Sequence, residues 1–285
     1  MATVSVAAPA SVPAGRHRVR WLFGSPMASA GIAIVVILFL AGVFAPLLAP
    51  FPPDGQTNAA LRGASATHLL GTDEFGRDVL SRILFGIRQD AVVASLSVPA
   101  GALIGVCLGL LTGLVRWLDT ILQRLFDVML AFTALIAGVT VASIVGPGRS
   151  AVLITVAVVN IPLFGRITRT SVLTLQNRDY VVAARVVGVR PIRLLVRHVL
   201  LNGVDPLIVQ FALSLSMAVF IEGAMSFISL GVLLPEPSLG NMLQKSINYL
   251  DRNPWYAIGP MVVVTLLVVG FQLIADGLTH RLLRR

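Results

Sequence analysis

No charged side chain occurs between Trp21 and Pro53, between Ala91 and Val115, between Val128 and Gly148, or between Pro254 and Ala275. A helix needs about 20 predominantly apolar residues to cross the hydrocarbon of a bilayer, and there only helices and closed barrels satisfy their own backbone. Two more runs of that length are interrupted by charge: 150–170 by Arg166 and Arg169, and 205–231 by Glu222. Six spans follow, near 28–48, 92–115, 125–145, 151–170, 205–231 and 257–278. Charged residues make up 12% of the 285-residue chain, half of the ~25% of a soluble domain. The sequence therefore predicts an all-α integral membrane protein with six transmembrane helices.

The apolar run after Arg16, Arg18 and Arg20 is too long for the core of a secretion signal and has no small-residue cleavage site after it, so it reads as a retained helix. The expected organisation is a cytoplasmic tail over 1–26, a first span over 27–48, and an extracytoplasmic loop over 49–90. A core of five spans over 91–285 follows, with a cytoplasmic loop at 171–203. From Asp78 onward Val79, Ile83 and Ile87 recur at helical spacing beside Arg82 and Arg88, which predicts a short amphipathic helix lying on the membrane surface.

The net charge of +9 does not point to nucleic acid, because its distribution follows the spans. The N-terminal tail, Arg116 and Arg124, the stretch from Arg166 to Arg197, and the C-terminal arginines hold 15 of the 22 Lys and Arg residues. These are alternate loops plus both termini, the positive-inside pattern. Both termini are expected in the cytoplasm.

Catalytic signatures are missing. The single lysine, Lys245, follows Gln244 and not Gly, so no phosphate-binding P-loop is present. The lone Cys107 excludes a disulfide framework, and the four histidines are too scattered to ligate a metal. The chain reads as no enzyme, with no metal or cofactor of its own.

Polar residues inside the spans are the other candidates. Gln210, Ser214, Glu222 and Ser226 fall within an arc of about 160° on one helix, so that face meets helices or water and not lipid. A carboxylate at such a depth costs roughly 2.5–3.5 kcal/mol or more. Glu222, with Asn160, Gln210 and Ser214, is therefore either part of a transport path or gate, or bonded to a neighbouring helix. Asp127, three residues after Arg124, is expected to pair with it locally. Trp255 and Tyr256 are expected at the membrane interface.

The stretch "YVVAARVVGVRPIRLLVRHVL" (Tyr180–Leu200) is too charged to span and too apolar to be a solvated tail. Gly188 reads as the break between two helices, with Pro191 in the first turn of the second. Arg190, Arg193 and Arg197 fall on one side, and Ile192, Leu195 and Val199 on another. Two covers suit the apolar side: anionic lipid, or the groove of a partner protein.

The same stretch, with Ala183, Ala184 and Gly188 at the spacing of a Glu-Ala-Ala-x3-Gly loop and with His198 and Asn202 following, resembles the signature of ABC-importer permeases. Val182 stands where the family has its acid, and Leu201 where it has a proline. "HLLGTDEFGRDVLSRILFG", with Gly71, Thr72, Asp73, Gly76, Arg77 and Asp78, and "EGAMSFISLGVLLPEPSLGNML" resemble two further segments of the dipeptide/oligopeptide/nickel branch, C-type subunit. That resemblance implies the type I importer transmembrane fold and half of a pathway shared with a second homologous permease. It also implies a substrate-binding protein outside and cytoplasmic ATPase subunits, separate or fused, which hold ATP and Mg. The coupling residues it implies are Ala183, Ala184, Arg185, Gly188, Val189, Arg190, Pro191, Arg193, Arg197 and His198, with the apolar side seated in the ATPase. Short peptides are the expected substrate; nickel complexes and glutathione belong to the same family. The reading to set against it is a secondary transporter driven by an ion gradient through Glu222 and Asp127.

Overall fold

The computed structural model describes residues 26–282, and every helix or strand element among them is helical. α1 (Pro26–Val43) and the single turn α2 (Ala45–Leu48) are followed by α3 (Val79–Thr112), α4 (Arg116–Ala131), α5 (Ala134–Val145) and α6 (Arg149–Leu175). Then come α7 (Asp179–Val186), α8 (Pro191–Arg193) continuing into a π-helical stretch (Leu194–Leu200), α9 (Val204–Phe227), α10 (Leu239–Ser246) and α11 (Trp255–Leu282). The tail expected over 1–26 lies outside the described residues, apart from Pro26. Residues 49–78 and 228–254 gather at one end of the bundle, the cap end; residues 176–203 stand at the other, the loop end.

Five helices are long and apolar enough to cross a membrane: α1, α3, α6, α9 and α11. The third expected span, 125–145, is not one rod. α4 and α5 meet at a 94° bend, inside a run that carries no charge. Phe132 and Thr133 are extended there, and the Thr133 hydroxyl accepts from the Ile136 N–H at the start of α5. An N-cap, not a charge, ends the helix. The two runs that charge interrupts in the sequence form unbroken helices, and α6 passes through Pro162.

The surface helix expected before the second span is also corrected. α3 runs without a break for 34 residues, about 50 Å at 1.5 Å per residue, so its first turns stand clear of a ~30 Å hydrocarbon layer. Val79, Ile83 and Ile87 do not face lipid. They pack with Leu239, Met242 and Tyr256 in a cluster at the cap end.

α3 is central, touching α1, α6, α9 and α11, and its contact with α6 is the most extensive in the bundle. Gly101, Gly105 and Gly109 make that approach possible. A Cβ on any of them would lie under 3.0 Å from the carbonyl oxygens of Ala157, Ile161 and Gly165 respectively. Both helices repeat every four residues, so three backbone-to-backbone contacts stack along one seam, the mode of association that lipid-embedded helices favour. The main core lies between α3, α5, α6 and α9 and includes Val93, Val98, Val152, Val156, Ile221 and Met225.

Candidate functional site

At the loop end, the sequence places a helix stop that explains the spacing of its signature. The Gly188 N–H donates to Arg185 O (3.0 Å) and the Val189 N–H to Ala184 O (3.2 Å). Gly188 has φ +83°. This is a Schellman stop: the residue after the helix is left-handed, and the next one packs back on the last turn. Ala184 and Val189 indeed pack together beside Val181. Arg190 then precedes α8, with Pro191 at its first position, where a missing N–H costs nothing. The Asn202 side chain donates to His198 O (2.6 Å) at the far side of the elbow.

The apolar residues of the elbow divide into two groups, and the division departs from the helical reading of the sequence. Leu194, Leu195 and Val199 are buried against Val172 of α6 and Val181 of α7. The chain therefore covers this face itself, and Leu194, not Ile192, belongs to it. Val186 (82% exposed), Val187 (83%) and Ile192 (67%) form a bare tip, with Val182, Val196 and Leu201 also exposed. Arg178, Arg185, Arg190, Arg193 and Arg197 are exposed around it, and none is in an ion pair with a described residue. Ala183 is exposed and His198 half-buried.

The pathway candidates do not converge on one open site. Asn160 is buried, its amide donating to Val156 O (2.8 Å), and its Cβ lies against Gly101 of α3. Gln210 donates to Ser214 Oγ (3.2 Å) on its own helix. Glu222 is fully buried. Its Oε1 accepts from Ser226 (2.9 Å) and from Ser238 (2.9 Å), which precedes α10. Asp90 of α3, a residue that sequence reasoning passed over, is also buried, 2% exposed. Asp127 pairs with Arg166 of α6, not with Arg124, and Asp119 binds Arg169 (Nη2–Oδ2 2.8 Å). These two pairs tie α4 to α6.

The six residues of the first signature segment build the cap. Asp73 Oδ1 accepts from the N–H groups of Phe75 and Arg77 (both 2.9 Å), and its Oδ2 from Arg77 Nε (2.6 Å). The turn closes with a bridge between Thr72 and Asp78, with Gly71 and Gly76 at positive φ. Asp78 caps α3, accepting from the Ser81 N–H (2.8 Å) and hydroxyl (2.7 Å), and meets His68 Nδ1 at 2.9 Å. Arg82 is buried and donates to Pro53 O (3.0 Å). Tyr256 is not an interfacial residue: it is 1% exposed, and its hydroxyl donates to Glu74 (2.8 Å). Trp255 is exposed. An Asx turn, a glycine and an N-cap Asp before an apolar-periodic run were the available signals.

A bundle of spanning helices joined at one end by a protruding elbow and at the other by a folded cap defines a multi-pass membrane permease architecture. Residues 101–285 match the family model described as binding-protein-dependent transport system inner membrane component. Residues 16–66 match the N-terminal TM domain of oligopeptide transport permease C. The chain is 36% identical over 94% of its length to the dipeptide transport system permease protein DppC of Alkalihalophilus pseudofirmus, covering 88% of that protein. Against the di/tripeptide transport system permease protein DppC of Pseudomonas aeruginosa the identity is 37%, covering 88% and 86% of the two chains. The glutathione transport system permease protein GsiD of Pectobacterium atrosepticum is 34% identical, over 89% of this chain and 85% of that one. An inward-facing structure of the MetNI methionine ABC transporter superposes with a TM-score of 0.59 at 18% identity, over 72% of this chain and 96% of that one. This likeness gives the fold, that of a type I importer transmembrane domain. The chain belongs to the family of binding-protein-dependent inner membrane transport components, in its C-type peptide permease branch.

Proposed function

We propose that this chain forms half of the translocation pathway of an ATP-driven importer of short peptides, paired with a second homologous permease. A substrate-binding protein delivers the peptide at the cap end, which faces outward, and both termini lie in the cytoplasm. ATP and Mg belong to ATPase subunits, separate or fused, beneath the loop end. The observation that carries this reading is the elbow's tip: Val186, Val187 and Ile192 lie bare among arginines that form no ion pair with a described residue. The face made by Leu194, Leu195 and Val199 is already occupied from within. A tip of this kind suits a groove with apolar walls and an acidic rim. The branch is what favours peptide over glutathione or nickel complexes.

An ion-gradient transporter fits less well. Of the two carboxylates it would use, Asp127 is engaged by Arg166 and Glu222 is fully buried among hydroxyls. The test is a V186D/V187D variant carrying an affinity tag. The ATPase should co-purify with the parent chain and be lost from the variant, and dipeptide uptake should fall at least tenfold. Unchanged co-purification and uptake would remove the elbow from the mechanism. Dipeptide uptake by this chain alone in liposomes would favour the gradient-driven alternative.

A further inference from the structure

α9 ends on a side chain where the backbone asks for none. The Ser229 N–H donates to Ser226 O (3.0 Å) and the Leu230 N–H to Met225 O (2.9 Å). These are the two bonds of a Schellman stop, with Ser229 at its left-handed position. Ser229 has φ +63°. Glycine takes that conformation freely, as Gly188 does in the stop at the elbow, but a side chain with a Cβ is strained there.

Nothing within the described chain accounts for the serine. Backbone N–H groups alone satisfy the carbonyls of the stop. The Ser229 hydroxyl is exposed and meets the carboxamide of half-buried Gln244 on α10, 3.0 Å from Nε2 and 3.2 Å from Oε1. α10 does not depend on that tie. Ser238 at its start donates to buried Glu222 (2.9 Å), the Asn241 amide donates to Val232 O, and a Cβ on Gly240 would run into the Gly223 carbonyl of α9. A neutral hydrogen bond open to water adds little to stability and does not offset left-handed strain. Ser229 therefore weakens the fold that holds it. Strain of this kind concentrates where a binding or switching group is held in place by rigid surroundings.

The surroundings here are rigid, since α9 and α10 meet backbone to backbone at Gly223 and Gly240. The hydroxyl and the carboxamide are thus held ready at the cap end, offering donors and acceptors without charge. Their complement is an uncharged group with a donor and an acceptor side by side, and the main-chain amide of a peptide is such a group. A contact made to main chain is indifferent to side chains, which suits a path for short peptides of differing sequence.

We infer that Ser229 and Gln244 form a contact site for the main chain of the incoming peptide at the cap-end mouth of the pathway. The inference rests on the peptide-import reading above. The bond between the two side chains opens, the peptide C=O accepts from the Gln244 amide N–H, and the peptide N–H donates to the Ser229 hydroxyl.

The test uses the complex purified through a tag on this chain and reconstituted in proteoliposomes with its binding protein at saturation. Uptake of radiolabelled dialanine is measured beside thermal melting of each variant. Ser229→Gly removes strain and hydroxyl together: it should melt about 2 °C or more above the parent, yet import about threefold or more slowly, the loss expected of one neutral hydrogen bond. Ser229→Asn keeps a polar group that tolerates the left-handed region and should import at the parental rate. Gln244→Ala leaves the stop untouched, so it should melt like the parent and import as slowly as S229G. Parental uptake in S229G or Q244A, or uptake in S229N as slow as in S229G, overturns the contact site. A markedly lower melting temperature in Q244A also overturns it, because the pair would then be holding α10. Failure of the wild-type complex to import dialanine would instead remove the peptide reading, and the contact site with it.

Discussion

The two ends of this bundle use their charged residues in opposite ways. At the cap end, Asp73, Arg77, Asp78 and Arg82 are all buried, and Asp73 alone accepts two backbone N–H groups and a guanidinium. At the loop end, five arginines lie exposed with no described ion pair, around apolar side chains left bare. Buried charges must be matched inside the fold, because nothing else compensates them. Exposed arginines beside exposed valines are under no such demand, and their arrangement is free to suit something outside the chain. The cap matches its charges within the fold; the elbow leaves its arginines without an ion pair to any described residue.

The largest effect that tests this contrast comes from the cap. Asp73→Ala leaves the buried Arg77 guanidinium without its paired carboxylate, and buried Arg82 with only Asp54, which lies 3.6 Å away and is largely exposed. Breaking a buried pair from one side costs about 3–5 kcal/mol. The variant should lose folded protein in detergent at a markedly lower temperature than the parent. Near-parental melting would mean that the cap network does not hold the cap.

Two glycines with nearly the same backbone angle give the next comparison. Gly76 has φ +74° and Gly188 φ +83°, so Ala at either carries a left-handed strain of about 1–2 kcal/mol. A Cβ at Gly76 would also run into the Thr57 carbonyl, whereas at Gly188 nothing lies within 4 Å. Gly76→Ala should therefore cost clearly more than about 2 kcal/mol, and Gly188→Ala no more than the strain. Thermal melts of the two variants side by side decide it, and equal shifts would break the contrast between a packed end and an open one.

How much of this was legible follows the same line. Hydrophobic runs mark the spans because the bilayer imposes a length, and Gly188 with Pro191 marks the elbow because backbone chemistry there is local. The sequence did not show the bend at Thr133, since one hydroxyl on one N–H outweighs a charge-free run of twenty residues. Nor did it show that Val79, Ile83 and Ile87 face α10 and α11: an apolar stripe looks the same whether lipid or protein covers it. Asp127 was assigned to the arginine three residues before it, and only the packing of α4 on α6 brings Arg166 closer. Contacts between helices are set by packing, and local pattern carries no record of them.

The smallest effect on the chain itself is the sharpest test of the elbow. Ile192 and Leu195 are three residues apart, and helical periodicity puts them on one face, yet Ile192 is 67% exposed and Leu195 7%. The π-helical stretch beginning at Leu194 alters the register between them. Ile192→Ala should change thermal stability by no more than about 0.5 kcal/mol, as exposed sites do. If a partner covers the tip, the same variant should release that partner more readily, because truncating a buried anchor weakens an interface by about 1–2 kcal/mol or more. Measuring ATPase retention on the tagged permease against a salt series separates the apolar anchor from the arginines, whose contribution alone is screened. Unaltered retention across that series would mean that Ile192 faces solvent in the assembled complex, and the elbow would then bind through its charges only.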